Sequence, residues 1–233
     1  MKKLITLSFL IVVSTFNVHL GQVTKQVVLE HFTNTKCSVC ASSSKNPALN
    51  TNLQNNPDVI RITYHPSSPY STCIFNQHNV SGNDDRTNQY GIYGATPRLV
   101  IQGDVISPNQ NFSDANLFPN YYGELSPVLL NVYIDSTTVD STYVKVVTTT
   151  VAGLSSSNAN LYVGLAEGTI NYNAPNGETV HHNVFRKALN GNQDSQISLA
   201  TTAGDSVVHY FNTANHMDWN LCLLYTSPSP RDA

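Results

Sequence analysis

The sequence has little charge. Asp, Glu, Lys and Arg make up 12% of its 233 residues, about half their usual share in soluble proteins. Because 12 basic residues face 15 acidic ones, no cationic excess supports nucleic-acid binding. Beyond one short run at the start of the chain, no apolar stretch is long enough to span a bilayer. Composition therefore disfavours a nucleic-acid partner and a transmembrane helix in the mature protein.

Several chemical motifs are also missing. The chain has no second CxxC and no Cys/His pair at zinc-ligand spacing, so a zinc site is disfavoured. Among the histidines, His65, His78, His181 and His182 invite a metal interpretation, but no two of them have convincing ligand geometry. No phosphate-binding loop and no Ser/His/Asp set stands out. We therefore expect no metal and no cofactor.

Both ends of the chain predict segments that do not belong to the mature fold. Lys2 and Lys3 precede an apolar run over 4–13, which indicates a signal peptide over 1–21 and export to the periplasm, the outer membrane or the exterior. Residues 222–232 read CLLYTSPSPRD, which matches one translated frame of a sequencing-library adapter. We interpret 222–233 as adapter-derived; the alternative is a natural Pro/Ser-rich tail. Without both segments, nine basic and fourteen acidic residues leave a formal charge of −5.

The region 22–107 alternates strand-like and helix-like segments. β-Rich runs predict strands at 26–32, 59–64 and 97–103. Helical spacing predicts helices at 40–54 and 83–90, the first of them kinked or split at Pro47. This order predicts an α/β domain with a sheet covered by helices.

The rest of the chain has a different pattern. Residues 108–127 are rich in Asn, Pro and Tyr, which is typical of a linker or of a loosely packed helix around 113–118. From 128 to 221, six short strand-like runs alternate with turn-forming clusters, one of them at 173–177. This spacing predicts an all-β, immunoglobulin-like sandwich of antiparallel strands, truncated where the adapter segment begins.

The candidate site is the CxxC motif at Cys37 and Cys40. It follows a predicted strand and opens a predicted helix, where the helix dipole and free N–H groups favour a thiolate at Cys37. The charge of Lys36 acts in the same direction. In this interpretation Cys37 is the exposed nucleophile and Cys40 resolves the mixed disulfide. A structural disulfide that never turns over remains the main alternative.

Two runs around this motif, VVLEHFTNTKCSVC and YGIYGATPRLVIQG, resemble a thioredoxin-fold domain. The resemblance implies a cis-proline at Thr96-Pro97 beside the CxxC, shaping a peptide-binding groove. Together with HHNVFRKALNG, the runs resemble the twenty-eight-kilodalton outer-membrane-protein-related family of bacteria, in which a thioredoxin-like domain precedes a β-rich one. The resemblance implies a thiol–disulfide oxidoreductase whose partners are protein thiols or disulfides, with outer-membrane association as one candidate location.

The same resemblance also shows departures. Thioredoxins usually have an aromatic residue before the first cysteine and a proline inside the motif, where this chain has Lys36, Ser38 and Val39. The alternative function is therefore a non-enzymatic binding or structural protein of the cell envelope or exterior, with a structural CxxC disulfide.

Two further residues bear on the site. Cys73 is a candidate third thiol in the loop over 65–82; it could pair with either motif cysteine or with another chain, or stay a buried free cysteine. Glu30, on the strand before the motif, is a candidate proton acceptor, although a glutamate there is expected to face solvent.

Overall fold

The computed structural model describes residues 21–192, 194–217 and 219–220, together with the backbone of 224–228. The signal peptide predicted at 1–21 lies outside the described residues except for its last position. Most of the segment interpreted as adapter-derived lies outside them as well. Within the described ranges, no helix is both long enough and apolar enough to cross a membrane.

The helices occupy α1, Asn46–Asn55; α2, Ile74–Gln77; and α3, Val80–Gln89; a short 3-10 helix covers Pro119–Tyr121. Helix α1 begins six residues after Cys40, later than the predicted start at residue 40, because Pro47 lies in its first turn. Proline is favoured there, where its missing N–H has no intrahelical partner. Helix α3 begins earlier than predicted, since the side chain of Asn79 accepts a hydrogen bond from the Gly82 N–H and caps the helix.

The strands are, in chain order, β1 Val23–Thr24, β2 Val28–Phe32, β3 Ile60–Tyr64, β4 Arg98–Ile101, β5 Asp104–Val105, β6 Leu125–Ser126, β7 Val128–Thr137, β8 Ser141–Thr150, β9 Asn158–Leu161, β10 Val163–Asn171, β11 Val180–Ala188, β12 Ser195–Ser198, β13 Ser206–Ala214 and β14 Leu224–Pro228. In the described part of the chain they form four sheets. The largest has seven strands in the order β14-β10-β11-β3-β2-β4-β5, and a second contains β13-β8-β7. The remaining two are the pairs β1-β6 and β9-β12.

Strand β2 is the centre of an α/β layer. It pairs in parallel with β3 and antiparallel with β4, and β5 returns antiparallel along β4. Leu49 of α1 packs with Leu29 on one face of β2, and Tyr90, which follows α3, packs with Phe32 on the other. An α/β layer thus forms in the region where the sequence predicts one.

The second region is β-rich, as predicted, but its strands divide among several sheets. Strands β10 and β11 extend the seven-stranded sheet, because β11 pairs in parallel with β3 at Val184 and Thr63. The apolar side of β11 supports this pairing, since the Phe185 ring lies 4.6 Å from that of Tyr64. The sandwich expected over 128–221 is therefore not a separate unit: two of its long strands belong to the first sheet.

The segment 108–127, for which the sequence predicts a linker, packs as part of the core. Phe112, Leu117 and Phe118 are buried in one cluster with Leu29 and Leu99. These apolar residues are spaced among Asn, Pro and Tyr, so neither helical nor strand periodicity reveals them. The segment covers the same face of the sheet as α1, since Leu49 of α1 lies in the same cluster.

Strand β14 lies at the edge of the seven-stranded sheet and pairs antiparallel with β10. Its residues, 224–228, fall within the segment interpreted as adapter-derived. The pairing concerns the backbone alone, and the origin of the segment stays a prediction.

Candidate redox site

The CxxC motif lies in the connection between β2 and α1, residues 33–45, which we call the redox loop. Cys37 and Cys40 form a disulfide, with their Cα atoms 5.2 Å apart. The backbone N–H of Cys40 donates to Cys37 Sγ at 3.0 Å. The two predicted thiols are thus joined in one covalent pair.

Both cysteines of this pair are buried. Cys37 is 2% exposed and Cys40 is fully buried, whereas Val39 between them is 57% exposed. Cys37 is therefore less exposed than the sequence predicts. The exposed part of the motif is formed by Ser38 and Val39.

The redox loop is a series of turns rather than the first turn of a helix. The Ala41 N–H donates to the Cys37 carbonyl at 3.4 Å, and the Asn46 N–H donates to the Cys40 carbonyl at 3.0 Å. Since α1 starts only at Asn46, the sulfur of Cys37 does not lie over the first turn of that helix. The dipole of α1 therefore does not favour a thiolate at Cys37, contrary to the prediction, because the field of a helix dipole falls off within one turn.

Thr96 and Pro97 lie beside the disulfide. Their peptide bond is cis, and the Thr96 carbonyl oxygen is 3.6 Å from Cys37 Sγ. The Thr96 hydroxyl is buried and has no hydrogen-bond partner among the residues that the structure describes. The structure thus brings together the cysteines and the two residues that the sequence assigns to a groove; the groove's role in peptide binding stays a prediction.

The turn between β10 and β11 also reaches the redox loop. Its Asn176 N–H donates to the Thr35 carbonyl at 3.0 Å. Asn176 Nδ2 lies 3.2 Å from the carbonyl oxygens of both Asn34 and Cys37, which share one of its two hydrogens. The sequence predicts a turn at 173–177 but gives no sign of this contact, since 139 residues separate Asn176 from Cys37.

Cys73 is a buried free thiol at the start of α2. The Thr35 hydroxyl donates to its sulfur at 3.1 Å, so Cys73 contacts the redox loop two residues before Cys37. Of the alternatives open for Cys73, the structure shows the unpaired one. Lys36 also points towards the segment that carries Cys73, and its ammonium group donates to the hydroxyl of Thr72.

A polar cavity lies behind the redox loop, among α1, β2, β3 and β11. Its lining residues are His31, Thr33, Asn46, Asn50, Arg61, Thr63, His65, Glu178, Val180, His181 and His182. Three of its buried polar atoms, His31 Nδ1, His65 Nδ1 and Thr63 Oγ1, have no partner among the described residues. Such atoms are commonly hydrogen-bonded to ordered water in cavities that can hold it.

The four histidines of this cavity are held neutral at pH 7. Burial lowers the pKa of His31 to about 3, with the charge of Arg61 as a second cause. Burial also lowers the pKa of His65 well below its ordinary value, and to a lesser degree those of His181 and His182. Across the described residues, no group of three or more His, Cys, Asp or Glu side chains is arranged to hold a metal ion.

Glu30 does not face solvent, contrary to expectation. It is 4% exposed, and Arg86 forms a two-pronged ion pair with it, through Nε at 2.6 Å and Nη2 at 2.8 Å. The Tyr90 hydroxyl donates to the same carboxylate. These partners occupy the carboxylate on the face of β2 that packs against α3, so the structure gives Glu30 a role in packing.

The chain was compared with known proteins. No protein-family model matches it, and no curated relative matches it. Among solved structures, HBP35 of Porphyromonas gingivalis is similar, with a TM-score of 0.63 and 15% sequence identity. The match covers 83% of this chain, and the chain spans 65% of the length of HBP35. At this identity the similarity shows a shared fold and does not bear on the resemblance to the twenty-eight-kilodalton family.

Proposed function

We propose that this chain is an exported, thioredoxin-like thiol–disulfide oxidoreductase of the twenty-eight-kilodalton outer-membrane-protein-related family. One observation carries the proposal: a closed Cys37–Cys40 disulfide lies against the carbonyl of Thr96, next to Pro97. The α/β layer around β2 and the fold shared with HBP35 support it. The substrates are proteins that carry thiols or disulfides, in the periplasm, at the outer membrane or outside the cell.

The reaction exchanges one disulfide for another. A partner thiolate attacks Cys37 Sγ, the Cys37–Cys40 bond breaks, and Cys40 leaves as a thiolate. A second partner thiolate then attacks the mixed disulfide, which releases the partner in its oxidised form and leaves both cysteines of this chain reduced. In the opposite direction, a Cys37 thiolate attacks the partner's disulfide and Cys40 resolves the intermediate. Because Cys37 is 2% exposed, the attack requires the groups that cover its sulfur to move.

Insulin reduction and a redox titration test this proposal. The wild-type protein is expected to accelerate the reduction of insulin by dithiothreitol and to have a potential in the range of known oxidoreductases. Cys37→Ser, the control, is expected to remove the acceleration. Absence of turnover in the wild type would contradict an oxidoreductase.

A second function is favoured by the burial of Cys37. The cysteines are 2% and 0% exposed, so attacking thiolates have little access to the disulfide, as expected of a structural cross-link. In that case the chain is a non-enzymatic binding or structural protein of the envelope or exterior. A very low potential together with no turnover in the same two assays would support this function.

A further inference from the structure

The turn between β10 and β11, residues 174–178, contacts the redox loop through the backbone and side chain of Asn176. We call it the clasp. It is itself closed by two backbone hydrogen bonds, from the Ala174 N–H to the Glu178 carbonyl at 2.8 Å and from the Gly177 N–H to the Ala174 carbonyl at 2.9 Å. These two bonds hold together the turn that carries Asn176.

Asn176 binds three carbonyl groups of the redox loop. Its backbone N–H donates to the carbonyl of Thr35, and one hydrogen of its Nδ2 is shared between the carbonyls of Asn34 and Cys37. The last of these carbonyls belongs to the residue that carries one sulfur of the disulfide. The position of the Cys37 backbone thus depends directly on Asn176.

Glu178 connects the clasp to the other end of the redox loop. Its Oε2 accepts from Asn176 Nδ2 at 2.7 Å, and its Oε1 accepts from Asn46 Nδ2 at 2.8 Å. Asn46 in turn holds the Cys40 carbonyl through its backbone N–H at 3.0 Å. A chain of hydrogen bonds therefore fixes both cysteines from outside the loop, and its centre is the clasp.

We propose that Asn176 is a positioning residue for the chemistry of the Cys37–Cys40 disulfide. By holding the backbone of Asn34, Thr35 and Cys37, it stabilises the oxidised loop and lowers the reduction potential. A turn of the β-rich region thus lowers the reduction potential of the Cys37–Cys40 disulfide in the α/β layer. This inference rests on the proposed function only in that the disulfide must be reducible.

The direction of the effect follows from the geometry. Reduction breaks the sulfur–sulfur bond, places a hydrogen on each sulfur and lets the two side chains move apart, so the loop is no longer confined to its oxidised shape. The clasp fits the loop in the oxidised shape. Its hydrogen bonds are therefore stronger in the oxidised state than in the reduced one, and contacts of that kind lower the potential.

The test is a titration of the disulfide in dithiothreitol buffers, with the thiol content read by alkylation and mass spectrometry. Dithiothreitol supplies two electrons and two hydrogens and becomes its cyclic disulfide. In Asn176→Ala two side-chain hydrogen bonds are lost, the one shared by the Asn34 and Cys37 carbonyls and the one to Glu178, each contributing about two- to tenfold. We expect the equilibrium constant for reduction to rise about tenfold, a potential about 30 mV higher.

Asn173→Ala is the matched control. Asn173 lies just before the clasp, is exposed, and its side chain makes no hydrogen bond with the described residues. Its replacement is expected to leave the equilibrium constant unchanged within twofold. A substitution that destabilised the oxidised and reduced proteins equally would leave the potential unchanged. A higher potential in Asn176→Ala alone therefore reports a contact that is specific to the oxidised form.

Asn176→Asp provides a second variant that keeps the size of the side chain and the backbone donor. Aspartate has no N–H to donate to the two carbonyls, so at least the same rise is expected. An unchanged equilibrium constant in both variants, or a shift towards the oxidised form, overturns the inference. The insulin assay is independent of this result, because the titration measures the potential of the disulfide whether or not it turns over.

Discussion

The seven-stranded sheet and the three-stranded sheet β13-β8-β7 are buried in different ways. All five residues of β2 are buried, whereas β8 alternates between buried and more exposed positions. A strand whose two faces are both covered lies inside the protein, and an alternating one has one face towards solvent. The redox loop begins at the end of the fully covered strand, so the candidate chemistry lies on the more buried of the two sheets.

The two sheets also differ in where they carry polar groups. The seven-stranded sheet contains the buried ion pairs of Glu30 with Arg86 and of Glu167 with Arg186. The outer face of the three-stranded sheet carries Tyr210, which is 71% exposed, and Lys145. The difference implies that the larger sheet depends on complete packing and pairing, while the outer face of the smaller one tolerates substitution.

The largest expected effect comes from Phe118, which fills the core beneath the seven-stranded sheet. Phe118→Ala removes a fully buried ring and leaves a cavity, so we expect the free energy of unfolding to fall by about 4 kcal/mol. Urea denaturation followed by circular dichroism measures this change. The same result would show that 108–127 is core rather than linker.

Tyr210→Ala is the control on the three-stranded sheet. Its ring is largely exposed, so the free energy of unfolding should change by no more than about 0.5 kcal/mol. If Phe118→Ala and Tyr210→Ala lowered the free energy of unfolding equally, the two sheets would not differ in their dependence on packing.

A somewhat smaller effect is expected at Arg86. Its guanidinium is fully buried between Glu30 and Asp194, and Arg86→Met leaves both carboxylates without their cation. Breaking a buried pair from one side is strongly destabilising, and we expect a loss of about 3 kcal/mol in the free energy of unfolding, measured with urea.

Lys145→Met makes the same chemical change on the three-stranded sheet. There the ammonium group lies 5.1 Å from the centre of the Tyr133 ring, near solvent. Such contacts contribute about 0.5–1 kcal/mol to the free energy of unfolding. A larger loss in Lys145→Met would mean that the three-stranded sheet depends on charge as much as the seven-stranded one does.

Local patterns in the sequence predicted the centre of the fold. The β-branched and aromatic runs at 26–32, 59–64 and 97–103 contain β2, β3 and β4. The strand order beyond them was not predictable, because β11 joins the sheet through a pairing between Val184 and Thr63 that no local pattern records. The packing of 108–127 was missed for a related reason: its buried residues follow no period.

The candidate site was predictable only in part. A CxxC is a local motif, and the resemblance around it implied Thr96-Pro97; the structure places both together. Asn176 and Glu178 were missed, since an asparagine in a Pro-Asn-Gly turn is explained by turn chemistry alone. Glu30 was expected to face solvent because an isolated glutamate usually does, and its partner Arg86 lies 56 residues away.

The smallest effect expected on the seven-stranded sheet depends on pH and concerns His31, on β2. Its pKa is lowered to about 3 in the folded protein, from an ordinary value of 6.5. As the pH falls below 6.5, the unfolded chain takes up a proton at this residue and the folded protein does not, so stability is lost by roughly 1.4 kcal/mol per pH unit. Between pH 6.5 and 5 this single residue should therefore account for about 2 kcal/mol.

His31→Gln should remove that part of the slope, as measured by urea denaturation at pH 6.5, 5.75 and 5. His209→Gln on β13 is the matched variant in the three-stranded sheet. Burial lowers the pKa of His209 as well, but that side chain is much less buried, so its replacement should change the slope less than His31→Gln does. Equal slopes for the two variants would mean that burial on β2 does not keep the His31 imidazole from taking up a proton.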